Sequence, residues 1–367
     1  MKCELGAICS RLSSGKSISA KLVSAEGKYP VYGGNGLCGY SNVSNFDGEC
    51  AIIGRQWAFC GNVRYFKGAA YMTEHAIVVC ADGKNDTRYL AYLLSHMQLG
   101  RLSAQSAQPG LSVKTLSKQI VDVPLLETQK RIAAILSSLD DKIENNKRIN
   151  RHLEQMAQAL FKSWFVDFTP FGGKMPKDWE EGRLGDICFY NSKRIDVSTL
   201  TLETYISTEN MLPNRGGYVR ATSLPSISQT TAFSVGDTLL SNIRPYFKKI
   251  VFCGFSGGCS PDVLCFHPKQ EYFAHFVYSA LYSDSFFEFV VSGSTGTKMP
   301  RSDKQQIMDY RIAIPSIKTL NIFTALVAPI ANKRLLIDKE SKVLSIFRDS
   351  LLPRLMSGEV SVVDEGR

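Results

Sequence analysis

The chain repeats itself, and this repeat constrains the fold more than any other feature of the sequence. Residues 109–165 align without a gap with residues 300–356, at a shift of 191 residues, and their apolar positions coincide. Upstream of these segments, residues 5–9 resemble residues 184–188 after a gap. A repeat on this scale indicates two copies of one structural unit. The order is therefore domain, helix, domain, helix.

The second part of each copy predicts a long helix with an apolar seam. Seam positions step by four and three residues over more than four heptads in the first helix, which Pro124 precedes and Pro170 follows. Two helices with similar seams in one chain predict an antiparallel coiled coil, and ~37 residues make a rod of roughly 55 Å. We expect Pro329 to kink or interrupt the second helix. The helix-pairing residues are expected to be Ile132, Leu136, Leu139, Ile143, Leu153 and Leu160 in the first helix, and Phe323, Val327, Ile337, Leu344 and Leu351 in the second.

Two asparagines interrupt the seam of the first helix. Asn146 and Asn150 occupy positions where an apolar residue is expected. A buried amide lowers stability but disfavours pairings in the wrong register. A seam that is exposed at these positions explains the same pattern. The sequence leaves both readings open.

The parts before the helices show the pattern of mixed domains. Residues 49–54 and 76–80 are short apolar runs typical of strands, separated from their neighbours by glycine-rich turns. Residues 89–97 and 274–281 indicate short buried helices. The fold class is therefore α+β, with two α/β domains separated by two long helices and related by an internal pseudo-two-fold repeat.

Composition narrows the class of protein without identifying it. The net charge of +9 is spread over the chain, which permits a polyanionic partner such as nucleic acid. We expect a cytoplasmic protein with no membrane contact, since no signal peptide and no uninterrupted apolar run of about 18 residues is found. Cysteine spacing argues against zinc and disulfides, because none of the ten cysteines forms a Cys-x-x-Cys pair. The nearest cluster, Cys253, Cys259, Cys265 and His267, is interpreted as buried strand residues rather than a metal site.

Catalytic motifs are incomplete wherever the sequence suggests one. Gly15-Lys16-Ser17 resembles a phosphate-binding loop, but Ser10 stands where that loop requires glycine. Residues 166–173 resemble a methyl-donor loop, yet they follow a helix instead of a strand. His75 lacks a partner nucleophile or metal spacing. We expect no catalytic residue and no cofactor.

Several segments carry a resemblance to a known family. Residues 127–146, 160–168 and 351–360 resemble the conserved regions of specificity subunits of type I restriction–modification enzymes. Residues 32–36, with Gly54-Arg55, look like one class of the target-recognition domains of that family. The second domain differs, because Ser241-Asn242-Ile243-Arg244-Pro245 replaces the Gly54-Arg55 element, so the two domains are expected to read different sequences.

The resemblance implies a division of labour along the chain. Residues 1–124 and 171–312 would be two target-recognition domains that read an interrupted, bipartite DNA site. Residues 125–170 and 313–367 would be the conserved helices. They would set the distance between the two halves of the DNA site and bind two methyltransferase subunits. Motor-nuclease restriction subunits would then join this complex. The chain itself would do no chemistry. A non-catalytic coiled-coil adaptor with two protein-binding domains is the alternative, and a stand-alone enzyme is a third reading.

The candidate DNA-binding residues follow from what protein–DNA contacts need. Lysine and arginine bind phosphates, whereas arginine, asparagine and glutamine read base edges. Each single residue is at least as well explained as a solvated surface side chain. The candidates are Arg55, Gln56, Arg64, Lys67, Gln105 and Gln108 in the first domain, and Asn242, Arg244, Tyr246, Lys248, Lys249, Lys298 and Arg301 in the second.

Overall fold

The structure is a computed structural model that describes residues 1–56, 59–103 and 110–362. The chain forms two compact units. Unit 1 comprises Met1–Asn145 with Ser341–Arg367, and unit 2 comprises Asn146–Glu340. Both boundaries between the units fall within long helices, so each unit contains one domain and a part of each long helix.

Two helices of 40 residues confirm the main prediction of the repeat. The short buried helices expected near residues 89–97 and 274–281 are also present. The expected interruption at Pro329 is wrong, because the second long helix is continuous through this position. The missing proline N–H removes one helical hydrogen bond, but Phe323 and Val327 remain packed in the core of unit 2. The helices are α1 (Thr87–His96), α2 (Val113–Ser117), α3 (Leu126–Phe165), α4 (Leu184–Ile187), α5 (Ala274–Tyr282), α6 (Asp284–Ser292), α7 (Lys304–Met308) and α8 (Ile317–Met356).

Unit 1 is built on a six-stranded sheet in the order β2-β7-β5-β6-β3-β4, with β1 and β8 paired separately. The apolar runs predicted as strands form β5 and β7, which lie side by side and antiparallel. Helix α1 covers this sheet, and its Tyr89 and Leu90 are buried in a core that includes Leu136 of α3 and Leu355 of α8. The strands of unit 1 are β1 (Lys2–Glu4), β2 (Cys9–Ser14), β3 (Tyr29–Gly33), β4 (Gly36–Ser41), β5 (Phe46–Gly54), β6 (Val63–Met72), β7 (Ala76–Ala81) and β8 (Ile120–Asp122).

Unit 2 contains two four-stranded sheets, in the orders β10-β17-β14-β15 and β11-β13-β16-β12, and a pair formed by β18 and β9. Its core is rich in aromatic rings: Phe165 of α3 lies edge-on to Phe276 of α5 and to Phe323 of α8, at centroid distances of 4.9 and 4.8 Å. The strands of unit 2 are β9 (Glu180–Arg183), β10 (Cys188–Tyr190), β11 (Arg194–Asp196), β12 (Tyr205–Ile206), β13 (Gln229–Phe233), β14 (Thr238–Ser241), β15 (Ile250–Phe252), β16 (Gly257–Cys259), β17 (Val263–Pro268) and β18 (Arg311–Ile314).

The two long helices pair within each unit, and they run in opposite directions. In unit 1 Arg348 of α8 donates to Asp140 of α3 at 2.6 Å, and Arg131 donates to the carbonyl of Val362 at 3.1 Å. Residue 131 thus contacts a residue further along the chain than the residue that 140 contacts, as expected for antiparallel helices. None of the predicted helix-pairing residues is exposed, and most of them are buried.

The asparagines of the seam are paired across the helices in unit 2. Asn146 is 1% exposed and donates to Glu340 at 2.8 Å, while Asn150 donates to Asp338 at 2.6 Å. Both partners lie on α8. Because a register slip would leave these amides without the carboxylates they bind, the contacts favour register control over an exposed seam.

Helix α8 is also the most apolar long segment of the described chain. It contains an 18-residue window of mean hydropathy 1.3, so it could cross a membrane by length and composition alone. The core helix of a water-soluble protein passes the same test. Leu320, Phe323 and Val327 on α8 pack into the core of unit 2, but only 22% of the apolar window is buried.

Candidate nucleic-acid interface

Three segments of unit 1 meet where β5 ends and β7 begins. The amide of Arg55, which follows β5, donates to the carbonyl of His75, which precedes β7, at 3.0 Å. The carbonyl of Arg55 accepts from the amide of Leu111 at 2.9 Å, and Gln56 forms a β-bridge with Gly110. We call this arrangement of main-chain contacts frame 1. It brings together residues that are far apart in the sequence.

Frame 1 also orders two of the predicted DNA-binding side chains. The Arg55 guanidinium donates to the carbonyl of Glu74 at 3.4 Å, and the Gln56 side-chain oxygen lies 3.0 Å from Nδ1 of His75. Gly54, the last residue of β5, permits a close approach of the main chain at Phe59, because a Cβ at position 54 would lie 2.2 Å from the carbonyl oxygen of Phe59. Arg55 and Gln56 are therefore held next to each other at the end of β5.

The same frame recurs in unit 2 with different residues. The amide of Asn242 donates to the carbonyl of Asp262 at 2.9 Å, and its carbonyl accepts from the amide of Ser302 at 3.2 Å. Ile243 forms a β-bridge with Arg301. We call this arrangement frame 2.

The numbering of the two frames corresponds residue by residue. Asn242 follows Arg55 by 187 residues, Asp262 follows His75 by 187, and Arg301 follows Gly110 by 191. Strand pairing agrees, since Gly54 opposes Ala76 and Ser241 opposes Val263. The two units thus share a scaffold of main-chain hydrogen bonds whose side chains differ at each corresponding position.

Frame 2 and the residues next to it contain buried polar atoms that lack a partner among the described residues. They are Oδ1 of Asn242, Nε of Arg244, Oγ of Ser260 and Oγ of Ser302. The side chains of Asn242 and Ser302 are only 6% and 7% exposed. Buried polar groups are nearly always hydrogen-bonded, so this cluster is suited to a polar ligand. Arg301 lies beside it, in an ion pair with Asp262 at 3.0 Å.

The predicted residues of unit 2 outside frame 2 hold a neighbouring loop in place. Nζ of Lys248 lies 2.6 Å from the Asp284 carboxylate, and Nζ of Lys249 donates to the carbonyl of Thr208 at 2.6 Å. Burial lowers the pKa of Lys249. Tyr246 remains exposed at the tip of the loop. The contacts of these two lysines therefore fix the position of the loop.

Sequence reasoning missed the residues to which this loop is tied. Arg215 donates to Asp284 at 2.7 Å, so one carboxylate holds both Arg215 and Lys248. Hydrogen bonds from these two cations lower the pKa of Asp284 to about 2. Arg215 and Asp284 are 69 residues apart in the sequence and belong to no motif, so no local pattern could have indicated this pair.

The remaining predicted residues that the structure describes lie outside the frames. Arg64 packs against the turn between β3 and β4, where its guanidinium would lie 2.9 Å from a Cβ at Gly36. Lys67 forms an ion pair with Glu49 across β5 and β6 at 2.7 Å, which lowers the pKa of Glu49. Lys298 is exposed. Gln105 and Gln108 lie outside the described residues.

The cluster of Cys253, Cys259, Cys265 and His267, which the sequence suggests as a possible metal site, is arranged around a buried aspartate. Asp237, whose side chain is fully buried, lies 2.6 Å from Nδ1 of His267 and accepts from Sγ of Cys265 at 3.4 Å. Burial raises the pKa of the Cys253, Cys259 and Cys265 thiols. Within residues 1–56, 59–103 and 110–362, no three or more of His, Cys, Asp and Glu are grouped so as to hold a metal ion.

Known proteins resemble this chain in sequence and in fold. Residues 1–155 match the family described as "Type I restriction modification DNA specificity domain". The EcoprrI specificity subunit of Escherichia coli is 42% identical over 123 residues, which are 34% of this chain but only 31% of that relative. The MjaIX specificity subunit of Methanocaldococcus jannaschii is 28% identical over 311 residues, 75% of this chain and 69% of the relative.

One solved structure shows the shared fold over nearly the whole length. The type I restriction–modification S subunit from M. genitalium superposes with a TM-score of 0.60 and covers 97% of this chain and 95% of its own. The two sequences are 18% identical, so the likeness concerns the architecture.

Proposed function

This chain belongs to the family of type I restriction–modification specificity subunits, and on that premise we propose that it reads two short DNA sequences, one with each unit. The two sequences form the halves of an interrupted site. The chain performs no chemistry and requires no cofactor. Methylation and cleavage belong to partner subunits in the cytoplasm.

The observation that carries the proposal is the recurrence of one frame with different side chains. Arginine at position 55 corresponds to asparagine at 242, and glycine at 110 corresponds to arginine at 301. Arginine typically makes paired hydrogen bonds with guanine and asparagine with adenine, and each good pair discriminates by about 1–3 kcal/mol. A common scaffold with different hydrogen-bonding groups is what two different half-sites require.

We further propose that the long helices bind two methyltransferase subunits, to which motor-nuclease restriction subunits attach. The support is an apolar stripe that helix α8 leaves exposed. In unit 1 this stripe includes Val343, Ile346 and Phe347, and in unit 2 it includes Ile322 and Leu336. Exposed large apolar side chains grouped as at positions 343, 346 and 347 mark protein interfaces.

Domain exchange tests the division of recognition between the units. Replacing residues 178–312 with the matching segment of a relative should change only one half of the sequence methylated in the host, as read by methylome sequencing. The point variants Arg55→Ala and Asn242→Ala serve as reciprocal controls, because each should relax only the half-site of its own unit.

Two outcomes would contradict the proposal. If the exchange altered both halves together, recognition would be a joint property of the chain. If methylation kept its sequence after both exchange and point substitution, the chain would be an adaptor that does not read DNA.

A further inference from the structure

The loop between β14 and β15 in unit 2 is held in an unusual backbone conformation. It contains a turn at Pro245–Phe247, and the residues at both ends of the turn, Arg244 and Lys248, have φ angles of 51° and 50°. Asn214 and Arg215 on the adjoining loop have φ angles of 53° and 59°. Non-glycine residues rarely adopt this left-handed conformation, which persists only where surrounding contacts impose it.

Those contacts connect the two loops directly. The amide of Asn214 donates to the carbonyl of Phe247 at 2.7 Å, and the amide of Arg215 donates to that of Lys248 at 2.9 Å. Asp284 then binds both Arg215 and Lys248 through its carboxylate. The guanidinium of Arg215 also lies 4.8 Å from the ring centre of Tyr282. The turn is therefore fixed before any partner binds.

What the turn presents is a pair of aromatic side chains. Tyr246 is 49% exposed and Phe247 is 37% exposed, and their ring centres are 4.8 Å apart. Nζ of Lys249 lies 5.9 Å from the ring centre of Phe247, and Arg244 and Lys248 flank the pair in the chain. An exposed aromatic pair within positive charge fits a polyanion that also offers flat apolar faces, which describes a nucleic acid.

The loop is continuous with frame 2. The amide of Arg244 donates to the carbonyl of Pro300, next to Arg301, at 2.8 Å. Two described residues of unit 1 correspond to residues of this loop at an offset of 187 residues. There Gly61, with a φ of 83°, takes the position of Lys248, and the exposed Phe59 takes that of Tyr246. An exposed aromatic side chain therefore stands at corresponding positions, 59 and 246, in the two units.

We propose that Tyr246 and Phe247 form a wedge that inserts between neighbouring base pairs of the half-site read by unit 2. This inference rests on the proposed function and goes further, because it assigns a deformation of the DNA to named residues. Apolar wedges unstack base steps, and flexible pyrimidine–purine steps are the easiest to open. The wedge therefore selects sequence at a step where it makes no base-edge hydrogen bond.

The experiment uses the complete complex of this chain with its methyltransferase, and duplexes that carry the methylated sequence of the host. The fluorescent base 2-aminopurine is placed in turn at each position of the half-site except the methylated adenine. Binding of the unaltered complex should raise the fluorescence at one step only. Tyr246→Ala with Phe247→Ala should abolish that rise and weaken binding about 5- to 150-fold, which is the range that loss of one stacked base implies.

Phe189→Ala is the matched control. Phe189 is 45% exposed in the same unit, but it pairs with His267 at the end of β17 opposite frame 2. This variant should keep both the fluorescence rise and the affinity, and Tyr246→Phe should keep the rise as well.

The outcomes separate this inference from the proposed function. A fluorescence rise that persists in the double variant would overturn the wedge while leaving sequence recognition intact. Loss of assembly with the methyltransferase, with no change at the DNA, would show that the aromatic pair binds a protein and overturn the wedge. Absence of specific binding by the unaltered complex would overturn both.

Discussion

The buried ion pair at the junction of three helices in unit 2 allows a quantitative prediction. Glu154 of α3, whose side chain is 5% exposed, accepts from Arg334 of α8 and from the hydroxyl of Tyr278 of α5 at 3.1 Å. Gln158 donates to the same carboxylate at 3.0 Å. Burial, and then the Glu154 carboxylate, raise the pKa of Tyr278, while the neighbouring Tyr278 and Glu154 raise the pKa of Arg334. The carboxylate thus connects both long helices to the domain.

Glu154→Ala removes one partner and leaves the other charge buried. Breaking such a pair costs about 3–5 kcal/mol. The side chain of Arg334 is 23% exposed and can turn partly toward water, so we expect the lower end, about 3 kcal/mol. Replacing both partners, with Glu154→Met and Arg334→Met, should restore much of the lost stability, because no unpaired charge remains. The coupling between the two sites should therefore reach about 2 kcal/mol.

Tryptophan fluorescence can report on unit 2 alone. Of the three tryptophans, Trp164 and Trp179 lie in the core of unit 2. In a Trp57→Phe background, urea unfolding followed by fluorescence therefore measures that unit. Asp167→Ala, which removes an exposed ion pair with Lys162 at the end of α3, is the control and should cost less than about 1 kcal/mol. A loss below about 1 kcal/mol for Glu154→Ala, or a double variant as unstable as the sum of the singles, would refute the reasoning.

Two further predictions follow from the seam and from the tied loop. Leu139→Asp places a charge in the helix seam and should cost several kcal/mol, so size-exclusion chromatography with the methyltransferase should show loss of assembly or of folding, and normal assembly would contradict the paired helices. Asp284 has a pKa of about 2 in the folded chain against the usual 3.8, so its contribution to stability is present above about pH 4 and is lost as the pH falls toward 2. Urea midpoints measured between pH 5 and pH 2 should show this loss, and the Asp284→Asn variant should lack this pH dependence. An equal pH dependence in the variant would contradict a stabilising contact between Asp284 and the two cations.

The features that could be predicted from the sequence are those that depend on a periodic pattern of apolar residues. A seam that steps by four and three residues requires only apolar side chains at regular positions, so the two long helices could be predicted from the sequence. The interruption expected at Pro329 does not occur, since α8 is continuous through this position and Phe323 and Val327 stay packed in the core of unit 2. Gln129 went unnoticed, although it is buried and its side chain binds Asn85 and the amide of Asp86. A polar residue with distant partners leaves no periodic signal.

The frames show the same limit at the candidate site. Arg55, Asn242 and Arg301 were predicted individually from their chemistry, but their grouping with His75 and Asp262 was not. The contacts that group them join main-chain atoms, and any residue other than proline supplies the same amide and carbonyl. Such contacts constrain the side chains very little. The sequence therefore carries almost no record of them.

That independence has an evolutionary consequence. Since the frames are held by main-chain hydrogen bonds, mutations at positions 55, 75, 110, 242, 262 and 301 can exchange one side chain for another while the loops keep their shape. New variants then differ in what they recognise more than in whether they fold. Proteins under selection to diversify, such as those that defend a bacterium against viruses, benefit from this architecture. Main-chain atoms maintain the fold, and side-chain atoms determine what is recognised.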